Sequence, residues 1–445
     1  MCISMKHANP IDVAFGKVSI TPPINDVYPD FFFKPRGVLD DIFARIAVIQ
    51  ANESPALIIA VDTLGIGIAE IAELEDGLTD ATGVPSNRIL ITSSHSHSAP
   101  ILCPIDLYGG FSPYFDGVCA RVIQLATELL TQLEPMTLSC GKSIADFNVN
   151  RRLITAQGNC AMLPNPDGVV DKNVPVLACH REDGALMGIF FSYCCHPTIL
   201  LGPKISGDYP GQAQLALEAR HRGTTALYLP GVFGNVRPSL IDENGGFRGG
   251  TPSDAMRCGS ELADAVDNAL KVLEPVPVET IQTWRLMRPL PLGHPPSRTE
   301  LNAVISQAVK SAQANEDNPA SWQDDYQLAM RGWAQQVRLE QVEERVPKTV
   351  NYTFARWDIG DVCWMTFSGE FFLEYALYAQ ELLGADRTWT LGYTQGCQTY
   401  VPTAVALSEG GYEPNAYKRW KQSAAFAPSV EEAVKAIIRE LAEMV

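Results

Sequence analysis

The chain has 445 residues, 46% hydrophobic and 19% charged, with a formal net charge of -17. This is a globular profile, too long for one small core. The acidic balance and the lack of a long lysine/arginine cluster exclude nucleic acid as an expected partner, since neutralising phosphates takes clustered cations. No stretch approaches about 18 uninterrupted apolar residues, so neither a membrane span nor a stable membrane anchor is expected.

The opening "MCISMKHANP" lacks the apolar centre of a secretion signal. The eleven cysteines form no CxxC pair, and several sit in apolar runs, as Cys179 does in "VPVLACH". Reduced, buried thiols in a cytoplasmic protein are the expectation.

Along the chain, "NRILITSS" (87–94), "PVLACH" (175–180), "LMGIFFSYCCH" (186–196) and "TALYLPGV" (225–232) are short β-rich runs ending in Gly, Ser, His or Pro. Helical patterns lie between them, such as "GVCARVIQLATELLTQL" (117–133) and "GQAQLALEARHR" (211–222). The alternation predicts an α/β fold, a layered sandwich of mixed sheets covered by helices. From about 298 to 347 the composition turns to Gln, Glu, Ala and Arg, which reads as a helical insertion. β-runs return over 349–369, with an "IGD" hairpin turn. In the last helix Ser429 and Glu432 have capping-box spacing. Without repeats or low-complexity linkers, residues 1–445 read as one domain.

Four places carry candidate chemistry. "ITSSHSHSAP" (91–100) puts His95 and His97 one residue apart; in a strand they would project to one side, and paired imidazoles suit a metal or a structural hydrogen-bonded pair equally. His196 follows an apolar strand in "SYCCHPT", and Asp208 in "SGDYPG" is placed to orient a ligand from behind. Glu370 in "SGEFF" stands between a strand and a helix, where N-terminal capping is also expected of an acid. Tyr400 in "GCQTYVPT" sits among turn residues.

Taken in order, these motifs resemble the catalytic domain of the neutral/alkaline, non-lysosomal ceramidases. The resemblance begins at "VAFGKVSITPPI" (13–24) and continues through "DDIFARIAVIQ", "ALIIAVDTLGI" and "ILITSSHSHSAP". "FNVNRR", "CCHPTIL", "SGDYPG", "GVFGNVRPS", "SGEFF" and "TYVPTAVALSEGGYE" follow, to about residue 415. It implies a hydrolase with one zinc ion held by His95, His196, Glu370 and Tyr400. His97, Arg151 and Tyr412 would surround the scissile carbonyl, which is attacked by metal-bound water and whose oxyanion needs such donors.

The chain departs from that family where substrate matters. Arg237 in "FGNVRPS" stands where the family has a serine; on a loop beside the metal, it is expected with Asn235 to line the substrate pocket, or equally to pair with an internal carboxylate such as Asp208 and brace that loop. "APILCP" replaces Pro-Gly-Gly after the histidines, and no length remains for the family's C-terminal immunoglobulin-like domain. These features point to a small, soluble, anionic amide, ester or lactone as substrate. A neutral ceramidase acting on N-acyl sphingosines is the alternative, and a non-catalytic metabolite-binding relative is the third reading. A homo-oligomer is compatible with all three.

Overall fold

The computed structural model describes residues 10–24, 35–51, 54–102, 113–314 and 322–444. Its largest sheet follows the order Thr225–Pro230, Leu186–Tyr193, Asn173–Arg181, Glu134–Ile144, Ile11–Ser19, Phe43–Gln50, Ala56–Val61 and Ile89–Ser93, with Glu274–Val276 added beside Glu134–Ile144. The pairs at its two ends are parallel and the intervening ladders antiparallel. A second sheet runs Ile281–Pro291, Thr349–Ile359, Val362–Phe367 and Thr388–Leu391.

Two-residue periodicity decides what each strand covers. In the large sheet Leu57 and Ile59, Val48 and Ile91 turn toward the helices Ile68–Thr82 and Pro113–Leu130. Ile189, Phe191 and Tyr228 turn toward Asp208–Arg220 and Pro252–Ala269 on the same side. The intervening residues, among them Ala47, Ile58, Leu90, Leu177 and Phe190, meet Trp357, Val362 and Trp364 of the second sheet. The second sheet's other face, with Phe354, Met365 and Phe367, packs on the helices Leu373–Leu383 and Val430–Ala442. The result is a four-layer sandwich of helices, sheet, sheet and helices, the layered mixed α/β fold expected from the alternating runs. Strands buried on both faces read as continuous apolar runs for this reason.

The "IGD" turn forms as expected, with Gly360 at φ 62 between Thr349–Ile359 and Val362–Phe367. The helical segment consists of Arg298–Ala314 and Trp322–Val342, placed between two neighbouring strands whose ladder runs unbroken from Ile281↔Ile359 to Pro291↔Thr349. A small core of Leu301, Trp333, Ala334, Val337 and Tyr417 fastens it to the Ala416–Trp420 turn. The capping box at Ser429 does not form. Its side chain caps nothing, and Glu431 instead accepts from the backbone N–H of Ala404 at 2.8 Å. All nine described cysteines are free thiols. Among the described residues no helix is long and apolar enough to cross a membrane.

Candidate metal centre

The carboxyl ends of strands from both sheets meet at one place. Ile89–Ser93 leads to His95, Leu186–Tyr193 to His196, Thr225–Pro230 to Phe233, and Val362–Phe367 to Glu370. Isolated bridges Thr92↔Thr394 and Gly231↔Leu391 join the sheets there. Loops at strand ends carry side chains free of sheet packing while the sheet fixes their origins.

His95 and His97 come together differently from the strand alternation expected. The strand ends at Ser93, and His95 adopts φ 64, so the chain turns through a left-handed residue. That conformation is uncommon outside glycine, and Tyr393 (φ 56) and Asp208 (φ 54) share it nearby. The rings of His95 and His97 then lie 5.1 Å apart, and those of His95 and His196 4.9 Å apart. One nitrogen from each of the three imidazoles lies within 4.8 Å of the others.

The tautomers follow from the backbone. His95 Nδ1 lies 2.6 Å from the Leu64 carbonyl and His196 Nδ1 3.0 Å from that of Phe233. A carbonyl only accepts, so both Nδ1 atoms carry the proton and both Nε2 atoms are bare in the neutral rings. Those two Nε2 atoms face the same carboxylate oxygen, Glu370 Oε2, at 3.4 and 3.3 Å. Three acceptors directed at one another in a buried site are repulsive unless a cation lies among them, so this donor set fits a metal ion. Tyr400 is the register partner of Glu370 in a two-residue parallel ladder, which sets both side chains on one face. Its hydroxyl lies close enough to Glu370 and Arg151 to feel both charges.

The electrostatics agree with this arrangement. Burial lowers the His196 pKa to about 3, aided by Arg151, and burial with its two imidazole neighbours pushes His97 well below its ordinary value. Burial works to raise Glu370, and it falls below the usual carboxylate range only when His95 and His196 carry protons toward it, a role that a cation among them would take over. Tyr400 is pushed well above the ordinary phenol value by burial and by Glu370.

Arg151 is buried and points at Tyr400, its guanidinium 5.3 Å from that ring and 5.8 Å from the Tyr412 ring. Tyr412 stands edge-on to Tyr400 at 5.7 Å and is 37% exposed, at the mouth of the site. Arg237 lies on a three-residue strand, Val236–Pro238, rather than the loop its sequence suggests. That strand pairs with Asn148–Ile154, where Arg237 is opposite Val149, so Arg237 and Arg151 are diagonal neighbours on one face. The Arg237 guanidinium stacks on Phe247 at 4.2 Å, and its buried Nε has no hydrogen-bond partner. Burial, with Arg151 nearby, lowers its pKa to about 10.

Two expected residues do other work. Asn235 spends its amide inside the protein: Nδ2 donates to both oxygens of Glu374, and Oδ1 accepts from the Leu373 N–H at the start of a helix. It braces that helix and has no group left for substrate, which corrects its expected role. Asp208 accepts from the N–H groups of Leu200 and Tyr209, so it holds the loop after His196 and not the imidazole itself. The sequence reading also missed three participants. Tyr393 stacks on His95 at 4.2 Å with its hydroxyl 3.4 Å from Glu370 Oε2, and Phe233 supplies the carbonyl under His196. Glu413 holds Arg151 Nε at 2.8 Å. Backbone carbonyls have no sequence signal, and only the glycines around Tyr393 hinted at an unusual turn.

Fold and site together define a layered α/β protein with a histidine, carboxylate and tyrosine cluster at the carboxyl ends of its strands. The chain is similar in structure to neutral ceramidase from Pseudomonas aeruginosa, with a TM-score of 0.71 at 18% identity over 98% of this chain and 74% of that one. It is similar also to a ceramidase complexed with C2, with a TM-score of 0.73 at 16% identity over 98% and 75% of the two chains. At these identities the likeness establishes the fold. No protein-family model and no curated protein matches the chain.

Proposed function

We propose that this protein is a metal-dependent hydrolase of an amide, ester or lactone carbonyl in a small, soluble, anionic substrate. The observation that carries the reading is the convergence of His95 Nε2 and His196 Nε2 on one oxygen of Glu370, each ring fixed by a backbone carbonyl behind it. His95, His196, Glu370 and Tyr400 would hold one zinc-like ion. Bound there, such an ion supplies Lewis acidity for activating water and polarising a carbonyl.

The chain's own residues provide the rest. His97, kept neutral by burial and the imidazoles beside it, faces the substrate carbonyl. Arg151 and Tyr412 donate to the carbonyl oxygen as water adds and negative charge develops on it. The C–N or C–O bond then breaks and the leaving group takes up a proton. Arg237 supports the anionic character of the substrate. A largely buried guanidinium without a carboxylate partner among the described residues, beside a second buried arginine, calls for an anion, and its planar fork suits a carboxylate.

The fold neighbours favour a second reading, hydrolysis of an N-acyl sphingosine, which is neutral where the proposed substrate is anionic. Purified, zinc-reconstituted protein assayed on a short-chain ceramide and on matched anionic and neutral acyl substrates separates the two. Chelator-sensitive hydrolysis of the anionic substrate is the expected result. Arg237→Ser should then cost that substrate roughly 1.5–3 kcal/mol in kcat/KM and leave its neutral analogue nearly unchanged. Equal losses on both would make Arg237 a scaffold residue. Turnover of ceramide alone would replace the proposal with the second reading.

A further inference from the structure

Arg151 and Tyr412, the two donors assigned to the scissile carbonyl, lie far apart in the chain, and one buried carboxylate joins them. Glu413 directly follows Tyr412 and is buried. Its Oε1 accepts from Arg151 Nε at 2.8 Å and its Oε2 from Arg152 Nη1 at 2.6 Å. Arg152 also donates to the carbonyls of Ala406 and Gly410 and to the carboxylate of Glu409. Strand Asn148–Ile154 is thereby tied to the segment that presents Tyr412.

Besides this tie, Arg419 Nη1 reaches the Tyr412 hydroxyl at 3.4 Å and Asn415 Nδ2 donates to the Gly411 carbonyl at 2.8 Å. Gly410 and Gly411 have φ 70 and 92, and Tyr412–Asn415 is a single helical turn. A Cβ on Gly411 would come within 3.0 Å of Cys160 Sγ and 3.3 Å of Arg152 Nη1, so the backbone lies directly against the arginine. Arg151 makes a second contact, Nη2 to the Gly234 carbonyl at 2.6 Å.

We infer that Glu413 is a positioning residue for the hydrolysis proposed above: it holds Arg151 against the Tyr400 hydroxyl and, one residue along the chain, Tyr412 at the mouth. The roles of Arg151 and Tyr412 rest on that proposal; the clamp itself does not. Donors stabilise a developing oxyanion only when they are already oriented toward it, and Glu413 is a carboxylate that both guanidiniums share.

The test compares Glu413→Gln, which keeps the shape and removes the charge, with Arg152→Met, which cuts only the other arm. In zinc-reconstituted protein Glu413→Gln should keep its metal and KM while kcat falls roughly tenfold or more. Arg152→Met should lower Tm with kcat near the parent value. A carboxylate of purely structural importance makes the two variants behave alike, so matched kcat losses, or parent kcat in Glu413→Gln, overturn the inference. If Glu413→Gln does not fold, the Glu413→Gln/Arg152→Met double variant removes one of the two stranded cations and carries the same kcat expectation. The NMR signal of Arg151 Nε–H in metal-free protein with isotope-labelled arginine reads the clamp without turnover. It should move in Glu413→Gln and stay in Arg152→Met; a signal unmoved by Glu413→Gln overturns the inference. A moved signal in parent-like folds that hydrolyse none of the substrates supports the clamp and removes the hydrolase reading.

Discussion

Within the histidine cluster, His95 and His196 are the proposed ligands: each donates Nδ1–H to a carbonyl and directs Nε2 at Glu370, and His97 lies in the same 4.8 Å cluster. Replacing His95 or His196 with alanine should therefore remove metal and activity together. His97→Ala should retain metal while kcat falls by roughly a hundredfold, the scale of one lost oxyanion donor. Metal per chain, measured by elemental analysis alongside turnover, checks both. An empty His97→Ala site would make the cluster a three-imidazole set. At this scale residue type nominated His95, His196 and Glu370, because few other residue types suit a cation. It misled for Asn235, since an amide serves a helix terminus as readily as a ligand.

Elements deliver those residues through loops that are held by close backbone approach. Gly234 sits where a Cβ would come within 2.5 Å of the Phe371 carbonyl oxygen, and its own N–H donates to that carbonyl at 2.8 Å. Gly234→Ala must push apart the loop that supplies the Phe233 carbonyl and the strand that supplies Glu370. We expect a loss of about 1–3 kcal/mol in stability and a metal affinity reduced roughly tenfold to a hundredfold, read by chemical denaturation and zinc titration. Across the site, Asp208 fastens the loop after His196 to the start of helix Asp208–Arg220. Burial raises its pKa from 3.8 to about 7. The folded protein therefore keeps this proton where the unfolded chain releases it. The stabilisation is complete below about pH 4 and is lost as pH rises toward about 7, by as much as about 4 kcal/mol. Asparagine tolerates the same positive φ and does not ionise. The Tm of Asp208→Asn relative to the parent should accordingly rise with pH across that window; a constant difference would mean that Asp208 does not titrate there.

Over the whole molecule, stability and site geometry depend on the seam between the two sheets. Trp364 is fully buried in that seam, with ring centroids 5.6 Å from both Phe190 of the large sheet and Trp389 of its own. Trp364→Ala should cost about 3–5 kcal/mol, measured by denaturant unfolding. Because each sheet carries part of the proposed ligand set, the same change should weaken zinc binding. A variant with the expected instability and unaltered zinc affinity would show that the strand ends are held independently of the seam.

By itself the sequence determined the layered α/β architecture, because strands covered on both faces must read as unbroken apolar runs separated by amphipathic helices. It also singled out the residues able to meet a cation, since imidazole, carboxylate and phenolate chemistry belongs to residue type. Only the tertiary structure decided how those residues meet. The left-handed turn at His95, the ladder that pairs Glu370 with Tyr400, and the carbonyls of Leu64 and Phe233 that set the tautomers all depend on contacts between segments remote in sequence. The partners of Asn235, Asp208 and Arg237 were undecided for the same reason. A polar side chain's hydrogen-bonding capacity is written in its type, but its partner is whatever the folded backbone brings within reach.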